Sequence, residues 1–142
     1  TQTTYPASTV KIMTALVAIE MYTQNWNTEI LITSSMLRNV SGNRIGLRQG
    51  EIVTFRDLIN CMIIGGANDC AQALAYTIAG GTDAFVELMN QKAAQLGMTH
   101  TTYTNVTGMH DEKMVTTLED VVLLALYAYR NLTFRSISGT YK

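Results

Sequence analysis

The sequence is poor in several things, and each scarcity excludes something. It holds one proline, one tryptophan and two cysteines, and only 15% of it is charged. Cys61 and Cys70 lack the spacing of a zinc site, and two cysteines do not fix a redox compartment. They read as small, buried, unpaired thiols, although two helices of one hairpin would bring them near each other. The net charge is -1 with no basic block, so nothing favours nucleic acid or an anionic membrane surface. No apolar run reaches the roughly 20 residues that span a bilayer, and no secretory signal pattern is present. There is no internal repeat and no low-complexity tract. His100 and His110 have no cysteine or acid at metal-binding spacing, so no metal and no cofactor is expected.

What is present is a hydrophobic fraction of 47% over 142 residues. That suits one domain over 1–142, or a piece of one, since chains of about 150 residues hide roughly two-thirds of their unfolded surface. The eight methionines read mostly as core filler.

Pro6 suits the first turn of a helix, where its missing N–H costs nothing. From Val10 to Tyr22 the residues are apolar on nearly every face, which predicts a central, buried helix. Trp26 is expected to cover the end of that helix. Glu29–Thr33 reads as extended, Arg38–Gly50 as loop, and Gly46–Glu51 as a turn between short strands. Thr54 with Asp57 three residues on opens a helix that runs to Gly65-Gly66. Asn68 or Asp69 opens the next, and Gly80-Gly81 ends it. Thr82 is expected to cap a third, stopped by Gly97. Thr102–Val106 is a short extended piece. Thr117 with Asp120 starts a last helix, to about Arg130. The tail, Phe134–Lys142, alternates like the start of a strand. Asp69 and Asp111 read as caps or loop anchors. The abrupt ends suggest a piece of a longer chain.

Ser8 and Lys11 stand three apart at the start of the buried helix. A serine hydroxyl is a poor nucleophile near neutral pH unless a neighbour removes its proton. A lysine can do so when burial lowers its pKa. At i and i+3 the two side chains share a helix face, and the positive helix end disfavours the ammonium form. The backbone N–H of such a serine can also stabilise an oxyanion. Equally, Ser8 could be a helix cap and Lys11 a snorkelling surface residue. Spacing alone leaves both readings open.

Tyr5-Pro6-Ala7-Ser8-Thr9-Val10-Lys11-Ile12-Met13-Thr14 resembles the active-site stretch of the serine D-Ala-D-Ala carboxypeptidases, the low-molecular-mass penicillin-binding proteins of peptidase family S11. The likeness continues in order. Gly46-Leu47-Arg48-Gln49-Gly50-Glu51 is similar to a Gly-Leu-x-x-Gly-Glu segment, and Ala67-Asn68-Asp69-Cys70-Ala71 to the helix after the second motif. Leu96-Gly97-Met98 and Asn105-Val106-Thr107-Gly108-Met109-His110-Asp111 resemble a later Leu-Gly-Met…Asn-x-x-Gly-Leu-x-Asp pattern.

The resemblance implies the helical part of an α+β, β-lactamase/transpeptidase-like fold, with most of the central sheet missing. It implies Ser8 as nucleophile on a peptidoglycan stem peptide ending in D-Ala-D-Ala, Lys11 as its base, and Asn68 as a second-motif residue. β-Lactams would be covalent inhibitors. The setting would be the bacterial envelope or outside the cell, with membrane association only through parts absent from this chain.

Two departures stand out. The family's second motif is Ser-x-Asn, and here it reads Gly66-Ala67-Asn68. The missing hydroxyl would help pass the proton to the leaving amine. A literal Ser-x-Asn at Ser41-Gly42-Asn43 falls in a loop without a family catalytic residue and reads as turn chemistry. The family's Lys-Thr-Gly motif is absent, so little or no turnover is expected of residues 1–142 alone. One alternative is a non-catalytic homologue that binds cell-wall peptide or is structural. Another is a β-lactamase, for which Glu87-Leu88-Met89-Asn90 is only a superficial match.

Overall fold

A computed structural model describes residues 3–4 and 9–139. In chain order the elements are β1 (Thr3–Thr4), α1 (Val10–Met21), β2 (Glu29–Leu31), a 3-10 turn (Ser35–Leu37) and β3 (Ile52–Thr54). Then come α2 (Phe55–Gly65), α3 (Asn68–Ala79), α4 (Thr82–Gln95), β4 (Thr116–Thr117), α5 (Leu118–Arg130) and α6 (Leu132–Gly139). Two small antiparallel sheets pair β1 with β4 and β2 with β3.

The helix α1 is the centre of the body and packs against all five other helices. Val10 and every residue from Met13 to Ala18 are buried. A helix apolar all round has no face for water, so neighbours must cover every side. Its one buried hydroxyl is satisfied: Thr14 Oγ1 donates toward the carbonyls of Val10 (3.1 Å) and Val106 (2.9 Å). Around α1 lie Leu58, Ile59 and Met62 of α2, Leu74 of α3, Phe85 and Met89 of α4 and Leu124 of α5, all 1% exposed or less.

The helix ends follow from local chemistry. Thr54 Oγ1 accepts from the Asp57 N–H, and the Asp57 carboxylate accepts from the Thr54 N–H. This reciprocal pair is the expected capping box. Thr117 Oγ1 likewise accepts from the Asp120 N–H. At the other end of α2, Gly66 turns the chain through a left-handed φ of 66°, a conformation open to glycine at little cost.

Two expectations are corrected. The tail is helical to Gly139, not extended, because Asn131 Oδ1 accepts from the Phe134 N–H at 2.8 Å and starts a new turn. Phe134 and Ile137, three apart, then both face the core. Thr82 is the first residue of α4 and does not cap it; Gly81 holds the cap position, with no side-chain bond there. Trp26 packs edge-on against Phe55 at the start of α2, and the Phe55 ring stacks on Tyr22, the residue that follows α1. The reading of Pro6 lies outside the described residues.

Candidate active site

The start of α1, the α2–α3 corner and two loops meet on one side of the body. Ser8 lies outside the described residues. Lys11 sits in the first turn of α1, and its Nζ donates to the Thr107 carbonyl at 2.7 Å. Burial lowers the lysine pKa from its ordinary 10.5, since a low-dielectric surrounding disfavours the ammonium. Lys11 and Gly66 both line one cavity of about 220 Å³, with Ile12, Met62, Ile63 and Phe134 as its other walls.

Asn68 is the first residue of α3 and is buried. Its Nδ2 donates to the Ser41 carbonyl at 2.8 Å and contacts the Met109 sulfur at 3.5 Å. The carbonyl fixes which way the amide points, because a reversed amide would set oxygen against oxygen. Its Oδ1 is buried without a hydrogen-bond partner among the described residues. So Lys11 and Gly66 share a cavity, while Lys11 and Asn68 are linked through one loop, by Thr107 and Met109. Asn105 Oδ1 shapes that loop by accepting from the N–H groups of Thr107 and Gly108, at 3.3 and 2.9 Å.

The opposite loop is held from below. The Asp69 carboxylate accepts from the backbone N–H groups of Ile45 (3.2 Å), Gly46 (2.9 Å) and Leu47 (2.9 Å), and from its neighbour Cys70 (3.0 Å). Asp69 is thus the expected loop anchor. Asp111 is another: it accepts from Thr104 Oγ1 and the Lys113 N–H, both at 2.9 Å, bonds that hold its pKa below the usual carboxylate value. Cys61 and Cys70 are free thiols, and burial pushes both pKa values up, so neither is poised as a nucleophile. No group of three metal-ligating side chains occurs among the described residues.

Two features escaped sequence reasoning. The lysine's partner is a backbone carbonyl, which no motif encodes. The Ser41-Gly42-Asn43 turn lies directly on the second-motif segment, with Asn68 N–H donating to the Asn43 carbonyl at 2.7 Å. The only sequence signal was the Ser-Gly-Asn tripeptide itself.

Residues 1–142 match throughout the family described as D-alanyl-D-alanine carboxypeptidase, peptidase S11. The chain belongs to this family. Within it, the D-alanyl-D-alanine carboxypeptidase DacF of Bacillus subtilis is 32% identical over 141 residues, covering 96% of this chain and 36% of that protein. DacB2 of Mycobacterium tuberculosis is 32% identical, covering 94% of this chain and 45% of the relative. The crystal structure of DacD from Francisella tularensis superposes with a TM-score of 0.87 at 33% identity, over 96% of this chain and 34% of that one. The chain therefore spans about a third to a half of the length of these family members. Its mainly helical body is the S11 fold over that span.

Proposed function

We propose that this chain is the nucleophile-bearing part of a serine-type D-alanyl-D-alanine carboxypeptidase. Ser8 Oγ attacks the carbonyl between the last two D-alanines of a peptidoglycan stem peptide. Lys11 takes the serine proton as the new C–O bond forms. The C–N bond breaks, the proton passes to the departing amine, and D-alanine leaves. Water then hydrolyses the acyl-enzyme and restores the serine hydroxyl. A β-lactam acylates the same serine and stays bound. The substrate places the work in the bacterial envelope, outside the cytoplasm.

The observation that carries this reading is Lys11. A lysine at the N-terminal turn of a central helix, with its pKa lowered by burial, faces the same cavity as the second-motif position. A general base is useful when its pKa moves toward the working pH. A second reading, a non-catalytic homologue that binds cell-wall peptide, draws on Gly66, which offers no hydroxyl for the proton path. The stretch Glu87–Asn90 gives no support to a β-lactamase. It lies inside α4, and Asn90 is engaged with the Tyr103 backbone.

The test is the intact mass of the protein, at its natural full length, after incubation with benzylpenicillin. A covalent adduct that disappears in Ser8→Ala is expected. Absence of any adduct, also in Gly66→Ser, favours the non-catalytic reading and removes the enzymatic one.

A further inference from the structure

The second-motif segment Gly65-Gly66-Ala67 is conformationally loose by composition. Two glycines in a row carry the highest backbone entropy of any pair, and Gly66 offers no side chain to hold it. Yet this corner forms a wall of the Lys11 cavity and leads into Asn68. The N–H groups of Gly66 and Ala67 bond back to the Met62 and Cys61 carbonyls, at 2.9 and 3.4 Å, but the carbonyls of Gly65 and Gly66 need donors from elsewhere.

The structure has a candidate in a turn 25 residues upstream. Asn43 Nδ2 donates to the Gly65 carbonyl at 2.6 Å and to the Gly66 carbonyl at 3.2 Å. The Asn43 carbonyl accepts from the Asn68 N–H at 2.7 Å. The Ser41 carbonyl accepts from Asn68 Nδ2. Between them, Gly42 has a left-handed φ of 76°, and a Cβ there would fall 2.8 Å from Asn68 Nδ2 and 3.2 Å from the Met109 sulfur. Position 42 must therefore be empty for the turn to close on Asn68. Each residue of Ser41-Gly42-Asn43 contributes something distinct: a carbonyl, an absence and an amide.

Among the described residues, a Cβ built at Gly66 would meet Asn43 Nδ2, at 3.4 Å. Among the described residues, the polar group nearest to where a second-motif side chain would begin is thus the Asn43 amide. Its nitrogen is within donating distance of two carbonyls and an amide N–H is not a titrating group, so it does not relay a proton. It can hold the corner in place.

We infer that Asn43 is a positioning residue for acyl transfer: its amide clamps the Gly65 and Gly66 carbonyls, fixing the second-motif corner against the cavity that Lys11 faces. This rests on the acyl-enzyme reading above. Displacement of a reacting group by about 1 Å costs on the order of 100-fold in rate, so loosening this corner slows acyl transfer by shifting the groups that line the cavity.

The experiment compares wild type, Asn43→Ala and Asn43→Asp at natural full length. The readouts are the second-order rate constant for acylation by a fluorescent penicillin, the thermal midpoint, and amide hydrogen exchange over residues 66–68. Aspartate keeps the size of asparagine and its tolerance of turns but removes both N–H donors. Both variants are expected to acylate about 10-fold more slowly or worse, and to exchange faster at 66–68, with the fold retained. Unchanged acylation in both variants overturns the inference. So does wild-type acylation in Asn43→Asp with loss only in Asn43→Ala, because space-filling alone would then suffice. If wild type takes no adduct, the acyl-enzyme reading fails and Asn43 has no acyl transfer to position. Exchange at 66–68 then still decides the clamp: faster in both variants, it stands as a structural device; unchanged, it falls too.

Discussion

Helices α3 and α5 begin with similar material and end in opposite situations. Both are largely apolar, α3 through four alanines and α5 through four leucines, and both carry an acid in the first turn. In α3, seven residues are buried, including the polar pair Asn68 and Asp69. In α5 only Asp120, Leu124 and Ala128 are buried, while Leu118 (71% exposed), Val122, Leu126 (51%) and Tyr129 (65%) form one solvent-facing line. Their spacing of four, four and three places them along a single helical face. Apolar content therefore does not say which helix is interior. The number of elements that reach a helix does: α3 touches α1, α2, α4 and the 3-10 turn, whereas α5 rests on α1, α6 and β4.

Cavity formation breaks this contrast most sharply. Leu74→Ala in α3 removes a side chain with no exposure and is expected to cost about 2–5 kcal/mol. Leu126→Ala on α5 should stay within about 0.5 kcal/mol. Urea unfolding of the pair checks both, and similar losses would mean that the α5 face is covered in solution. Next in size is Asp69→Asn, which replaces an acceptor of four N–H groups by a side chain that is half donor. Hydrogen bonds to charged groups contribute about 1.5–3 kcal/mol each, so a loss of about 2–3 kcal/mol is expected, with faster exchange of the Ile45, Gly46 and Leu47 amides. The equivalent change in a solvent-facing acid of α5, Glu119→Gln, should do much less.

The smallest effect is a slope. The folded pKa of Lys11 lies below its unfolded value of 10.5. Between those two pKa values the unfolded chain binds more protons at this site, so its contribution makes stability rise with pH across that window. Below the window the buried ammonium is a constant cost. Subtracting the urea midpoints of Lys11→Met from wild type over a pH series isolates this term. A difference that stays flat up to pH 10.5 would show that the lysine is as hydrated in the fold as out of it.

Much of this architecture was legible because it is local. Thr54 with Asp57, Thr117 with Asp120, and the glycines at 66 and 80 each announce a helix end within three or four residues. The buried character of α1 was legible too, because a helix apolar on every face has only one stable setting. What stayed hidden depends on partners far along the chain. The helical tail hinges on Asn131, whose capping role the strand-like alternation after it obscured. The hold on Lys11 comes from a carbonyl 96 positions away. Ser41-Gly42-Asn43 bends the chain as its composition suggests, but no local rule places that bend on top of a motif 25 residues later.

Asn90 carries one more consequence. Thr102 exchanges both of its backbone hydrogen bonds with Val115, while the next residue, Tyr103, faces the other way. There Asn90 Nδ2 donates to the Tyr103 carbonyl at 2.9 Å, and Asn90 Oδ1 accepts from the Tyr103 N–H at 2.8 Å. A carboxamide is chemically a peptide group, so this one side chain does for Tyr103 what a neighbouring strand would do. A helix here supplies a ladder one rung long. The buried Tyr103 backbone is satisfied by a single residue of α4, and an apolar side chain of equal volume at 90 would leave both of its groups stranded out of water.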